Sequence, residues 1–198
     1  DQVEEEIEDL LVNNIYSMEV QDIGRVQRVD DGLFRYVERV KSTFPSGMRL
    51  DGIKVVVDCA HGAAYRAAPE VLWELGAEVV AVGVQPNGKN INKGCGSTHP
   101  EFAAKAVLDN GADVGLCLDG DADRLILIDE KGLTGDGDQL MGLLASRWAD
   151  EKRLAGGALV ATVMSNLGLE RFLNAQKIGL LRTKVGDRYV VEKMRAGG

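Results

Sequence analysis

Two rhythms of apolar residues alternate along this chain. Short, nearly unbroken apolar runs occur at 53–58 (IKVVVD), 78–82 (EVVAV), 114–118 (VGLCL), 125–129 (LILID), 158–163 (ALVATV) and 178–181 (IGLL). Runs this short, bounded by Gly, Asp and Asn, predict buried strands. Between them the apolar positions fall three and four apart, which predicts helices over 62–75, 139–149, 167–175 and 188–194, and one opened by Pro100 that holds Phe102, Ala106 and Val107. Within 62–75, Pro69 predicts a kink or second start and Gly76 a left-handed cap. Upstream, Leu33, Phe34, Val37 and Val40 share one face of a helix that Asp30 can cap. Ile7, Leu10 and Leu11 mark a short amphipathic helix over 4–11, marginal without a packing partner. Strands alternating with helices predict an α/β fold, a mixed, largely parallel sheet layered with helices, with one complete domain and part of a second, similar one. Trp73 and Trp148 fall on apolar helix faces and are expected in the core.

Composition narrows the function classes. The 198 residues carry a formal charge of -8 and no lysine or arginine cluster, so no surface is expected to bind nucleic acid or an anionic membrane. Every apolar run is far too short to span a bilayer, and no charged-then-apolar leader opens the chain. Cys59, Cys95 and Cys117 are odd in number and lack metal-type spacing, which points to reduced thiols in a cytoplasm, with Cys59 and Cys117 as core packing. The chain opens on Asp1 and closes on Gly197 and Gly198 without completing an element, so it is expected to be cut from something longer.

The concentrated chemistry lies after the third apolar run. Asp119, Asp121 and Asp123 stand at every second residue, and in an extended segment side chains at that spacing emerge on one side. Two like unit charges at 4 Å repel by about 4 kcal/mol at an intermediate effective dielectric, so a convergent triplet calls for a cation. Magnesium suits these hard oxygen donors and retains positions for water or phosphate oxygens. Arg124 follows directly, and its planar fork matches a pair of phosphate oxygens. A solvated acidic turn is the plain alternative. A calcium loop of the EF-hand type is disfavoured by Arg124 at its sixth position and by flanking strands. A haloacid-dehalogenase-like phosphatase, with Asp119 as nucleophile and Asp121 as acid, competes on the motif alone.

DGDADR followed by LILIDEKG resembles the metal loop of the α-D-phosphohexomutases. The stretches VVVDCAHGAAYRAAPEVLWELGAEV, GKNINKGCGSTHPE, ATVMSNLGLERFL and RTKVGDRYVVEKM are similar to consecutive blocks of that superfamily, most closely of its bacterial amino-sugar branch, from about Gly24 onward. The phosphomannomutase and phosphoglucomutase branches are the near alternatives. The resemblance implies a four-domain protein in which residues 1–21 close domain 1, residues 22–131 form domain 2 with its metal loop, and residues 132–198 begin a truncated domain 3. It implies a phosphoserine that exchanges phosphoryl groups with a hexosamine phosphate substrate, and Mg2+ held by Asp119, Asp121 and Asp123. It further implies that Arg124 contacts the phosphoryl group and that Lys184 lies near the reacting hydroxyl, and it is compatible with a homo-oligomer of the full-length protein. The family's serine loop would precede Asp1 and its sugar-selecting loop would follow Gly198, so this piece is expected to be inactive alone. Ser97 and Ser165 have no evident base beside them, and His61 and His99 are expected to be structural or exposed. GCGST lacks the fuller P-loop pattern and is read as loop structure. A non-enzymatic metal-binding or interaction module is the reading from another class.

Overall fold

The structure, a computed structural model, describes residues 2–13 and 24–197. The expected domain boundary between residues 21 and 22 lies outside the described residues. The chain divides into two compact units, residues 1–32 and 33–198. In the first, helix α1 (Gln2–Val12) has no buried residue, and Ile7, Leu10 and Leu11 are exposed. Asp30, the expected helix cap, pairs instead with Arg28, whose Nε donates to Oδ1 at 2.5 Å.

The second unit takes α2 (Gly32–Lys41) almost whole and is built on two sheets. The five-stranded sheet runs β2 (Glu78–Val82), β1 (Lys54–Asp58), β3 (Val114–Leu118), β4 (Leu125–Asp129) and β5 (Thr134–Gly135). β1 pairs parallel to both β2 and β3, whereas β3–β4 and β4–β5 are antiparallel. The connections explain this mixture. Helix α3 (Ala67–Glu74) lies between β1 and β2, and helix α4 (Pro100–Asn110) lies between β2 and β3, so both pairs have room for a crossover. The six residues between β3 and β4 do not, because a parallel return needs a dozen or more.

The helix over 62–75 is broken, as Pro69 led one to expect, although the break falls earlier: a 3-10 turn at Ala63–Tyr65 precedes α3, which holds Pro69 in its first turn. Gly76 takes the left-handed cap at φ +104°. Core packing follows the strand alternation: Val56, Cys117 and Ile128 meet Ala103 and Val107 of α4 on one face. Near the chain's other face, Val37 of α2 packs with Ala67 and Val71 of α3. Phe34 departs from the expected shared face and is 59% exposed.

The remainder holds α5 (Gly137–Asp150), β6 (Ala158–Thr162), α6 (Leu167–Ala175), β7 (Gly179–Thr183) and α7 (Asp187–Ala196). β6 and β7 form a parallel pair, and Leu169, Leu173, Ala145 and Ile178 make a small separate core. Asp136 and Asn166 cap α5 and α6 by accepting from the amides of Gln139 and Leu169, each at 2.9 Å. Both tryptophans depart from expectation: Trp73 is 69% and Trp148 41% exposed. None of the described helices is long and apolar enough to cross a membrane.

Candidate metal centre

Because β1 and β3 are adjacent and parallel, their carboxyl ends lie side by side, and the loops that leave them meet. Open α/β sheets bind ligands at this edge. Three loops converge there. The segment after β1 is tied to the acidic loop by the Ala63 amide, which donates to the Gly120 carbonyl at 2.8 Å. Gly62 makes this approach feasible: a Cβ there would stand 2.1 Å from the Gly120 oxygen. The third loop, 90–98, packs Ile91 and Asn92 over Gly120, where a Cβ would meet Ile91 Cδ1 at 2.6 Å.

Asp58 joins the same construction. Its fully buried carboxylate accepts from the amides of Ala60 at 2.9 Å and Gly96 at 2.6 Å, pinning GCGST to the end of β1. The Ser97 amide completes the attachment by donating to the Leu118 carbonyl at 2.9 Å. Burial pushes the Asp58 carboxyl above its ordinary value, against the pull of the Gly96 and Ala60 amides. Of the six non-glycine residues with positive φ among those described, Ala60, His61, Asn92 and Ala122 lie in these loops. Strain of this kind concentrates at functional sites. The carboxamide oxygen of Asn92 is buried with no hydrogen-bond partner.

Asp119, Asp121 and Asp123 come together, one carboxylate oxygen from each lying within 4.8 Å of the others, but not through the extended segment expected: residues 120–122 turn, with the Ala122 amide donating to the Asp119 carbonyl at 3.1 Å and Ala122 left-handed at φ +63°. Asp119 is buried, while Asp121 and Asp123 are exposed. Arg124 turns back on Asp119, donating from its amide to Oδ1 at 3.1 Å and from Nε to Oδ2 at 2.8 Å. Burial raises the Asp119 carboxyl, but the Arg124 amide and guanidinium outweigh it and leave its pKa below the usual value. Asp123 is shifted the other way, chiefly by the charge of Asp121, then by desolvation and by Asp119. The cluster thus holds carboxylates that repel one another and are supplied only with oxygen donors. That donor set fits a hard divalent cation. Strands β3 and β4 flank the loop, unlike the helices of a calcium-binding EF-hand.

Lys184 is not brought into this cluster. It follows β7, stands over the Tyr189 ring at 5.8 Å, and lines a cavity with Thr183, Tyr189, Glu192, Lys193 and Ala196. The histidines behave structurally: His61 Nδ1 accepts from the Gln85 amide at 3.1 Å, and His99 Nδ1 lies 3.2 Å from Glu101. All three cysteines are buried, and burial raises the Cys59 and Cys117 thiols to about 12. The motif reading missed Asp58, Gly62 and Asn92. An acid closing an otherwise apolar strand, as in IKVVVD, was the available signal for the first.

Comparison with known proteins decides the family. The family model described as phosphoglucomutase/phosphomannomutase, alpha/beta/alpha domain II, matches residues 34–132, and that for domain III matches residues 136–198. The chain belongs to the phosphoglucomutase/phosphomannomutase family. Relatives in this family named phosphoglucosamine mutase include those of Roseobacter denitrificans, 67% identical, and Cereibacter sphaeroides, 68% identical. Each match covers 100% of this chain and 44% of the relative, so the chain spans less than half the length of these proteins. Among solved structures, a phosphoglucomutase/phosphomannomutase family protein from Burkholderia thailandensis superposes with a TM-score of 0.77 at 25% identity, covering 100% of this chain and 42% of that one. An N-acetylglucosamine-phosphate mutase shares the fold at a TM-score of 0.56 and 18% identity, over 81% of this chain and 33% of its own. The mixed α/β architecture is therefore that of the family.

Proposed function

We propose that this chain is the metal-loop portion of a phosphoglucosamine mutase, which interconverts glucosamine 6-phosphate and glucosamine 1-phosphate by way of a phosphoserine supplied outside these residues. The observation that carries the reading is the convergence of Asp119, Asp121 and Asp123 beside Arg124 in a chain that matches phosphoglucosamine mutases along its whole length. Asp119, Asp121 and Asp123 are assigned to hold Mg2+. When bound, the ion neutralises charge on the phosphoryl group in transfer. Asp119 orients the Arg124 fork, and Arg124 holds phosphoryl oxygens in place. Lys184, which lies outside the acidic cluster, is assigned to proton transfer or charge stabilisation at the reacting hydroxyl on the family resemblance of RTKVGDRY alone. The setting is a cytoplasm, where the thiols remain reduced.

Phosphorus NMR of glucosamine 6-phosphate with magnesium and a trace of the bisphosphate tests this reading. The full-length protein should form the 1-phosphate, its Asp121→Asn variant should form it far more slowly, and residues 1–198 alone should form none. Release of inorganic phosphate with a trapped aspartyl-phosphate would replace this reading by the phosphatase one, which the family match disfavours.

A further inference from the structure

Arg124 has binding capacity that its loop does not use. Nε is taken by Asp119, but the two terminal nitrogens of the fork have no hydrogen-bond partner among the described residues. Arg124 lines a cavity of about 450 Å³ together with Ser97, Thr98, Leu125, Ile126 and Gly137. Ser97 and Thr98 are held there by backbone alone: the Ser97 amide bonds to Leu118, and Gly96 before it is fixed on Asp58. Their hydroxyls make no hydrogen bond among the described residues, so neither does visible work in the fold.

We propose that Ser97, Thr98 and Arg124 form a subsite for phosphoryl oxygens beside the acidic loop, a reading that rests on the mutase assignment above in naming a hexosamine phosphate as its ligand. A guanidinium fork and two hydroxyl donors match a tetrahedral dianion, and all three can donate to it at once. The hydroxyls add donors without adding charge. Asp121 and Asp123 stand on the same loop as Arg124 and repel a bare anion, so the subsite takes phosphate only when a cation offsets those acids. The role is binding. Ser97 has no base in hydrogen-bond contact and forms no covalent intermediate.

The test compares full-length wild type with Ser97→Ala/Thr98→Val, by steady-state kinetics on glucosamine 6-phosphate and by phosphorus NMR titration of inorganic phosphate with magnesium. The double variant should raise KM and weaken phosphate binding by about tenfold or more, because each lost bond is to a charged oxygen. Its melting temperature should hold, and Ser97→Thr/Thr98→Ser should recover most of the loss. Unchanged KM and phosphate affinity would overturn the subsite. So would a fall in kcat with a lowered melting temperature and no recovery in the conservative variant, which would mark these residues as structural. If wild type binds phosphate with magnesium yet does not isomerise the sugar phosphate, the mutase reading fails, and the phosphate titration still decides the subsite.

Discussion

Gly62→Ala is the sharpest single test of how this centre is held together. The added Cβ would lie 2.1 Å from the Gly120 oxygen, 2.6 Å from its Cα and 2.7 Å from its carbonyl carbon. These are backbone atoms, so no side chain can swing aside. Recovering an ordinary contact of 3.4 Å requires the two loops to part by about 1.3 Å. That movement breaks the Ala63–Gly120 bond, worth about 0.5–1.5 kcal/mol, and adds an overpacking cost of about 1–3 kcal/mol. Urea unfolding should show a loss of about 2–4 kcal/mol. Because Gly120 lies between Asp119 and Asp121, the full-length variant should also need more magnesium for half-maximal activity. A misplacement near 1 Å can cost about 100-fold in rate. Gly137→Ala is the control: its Cβ meets nothing within 4 Å, and it should leave stability unchanged or raise it by about 0.4–1 kcal/mol. Unaltered stability and magnesium requirement in Gly62→Ala would refute the proposed buttressing.

Three further outcomes follow from the same geometry. Asp58→Ala strands the Ala60 and Gly96 amides and should cost about 2–6 kcal/mol in urea unfolding, while Asp58→Asn, which strands one, should cost about half as much. The folded pKa of Asp58 is raised, so the folded state binds the extra proton, and the stabilisation is full below the unfolded value near 3.8 and lost as pH rises through the folded one; the stability gap between wild type and Asp58→Asn should therefore be widest in acid and narrow on going to neutral pH. Cys59, Cys95 and Cys117 should react with an aromatic disulfide at pH 8 about 100-fold or more slowly in the folded chain than in guanidinium, because burial withholds the thiolate.

Much of the fold is legible in the chain because its strands are nearly unbroken apolar runs; β3 and β4 coincide with VGLCL and LILID, and α6 with the expected 167–175. The exposed tryptophans show where the pattern fails. In AAPEVLWE six of the eight positions are apolar, so the sequence does not mark which face turns inward. Val71 is buried, and Trp73, two residues on, is turned about 200° away from it. Trp148 stands outside the cluster around Ala145 and Leu173, and the Arg153 guanidinium covers its ring at 5.7 Å. The two-residue β5 carries no apolar run at all and owes its pairing to the turn after β4.

The acidic triplet was legible for the opposite reason: it is local, although a turn with Ala122 left-handed, and not an extended segment, gathers its carboxylates. Its support is distributed. Asp58 ends β1, while Gly62, Asn92 and Gly120 come from three loops, and the parallel pairings of β1 with β2 and with β3 make them neighbours. That proximity sets Gly62 against the Gly120 backbone and Gly120 against the Ile91 and Asn92 side chains, which explains both glycines, and the same crowded loops hold Ala60, His61, Asn92 and Ala122 left-handed. A left-handed residue with a Cβ costs roughly 1–2 kcal/mol, so four of them represent a substantial local penalty. The hydrogen bonds accepted by the Asp58 carboxylate and those donated by the Ala63, Ser97 and Asn92 amides, the last to the Ala60 carbonyl at 2.9 Å, offset it and hold the strained loops in one arrangement. An acidic loop supported in this way keeps its carboxylates converged against their own repulsion. A freely solvated turn with the same three acids would splay them, and this restraint favours a cation-binding loop over the plain acidic turn.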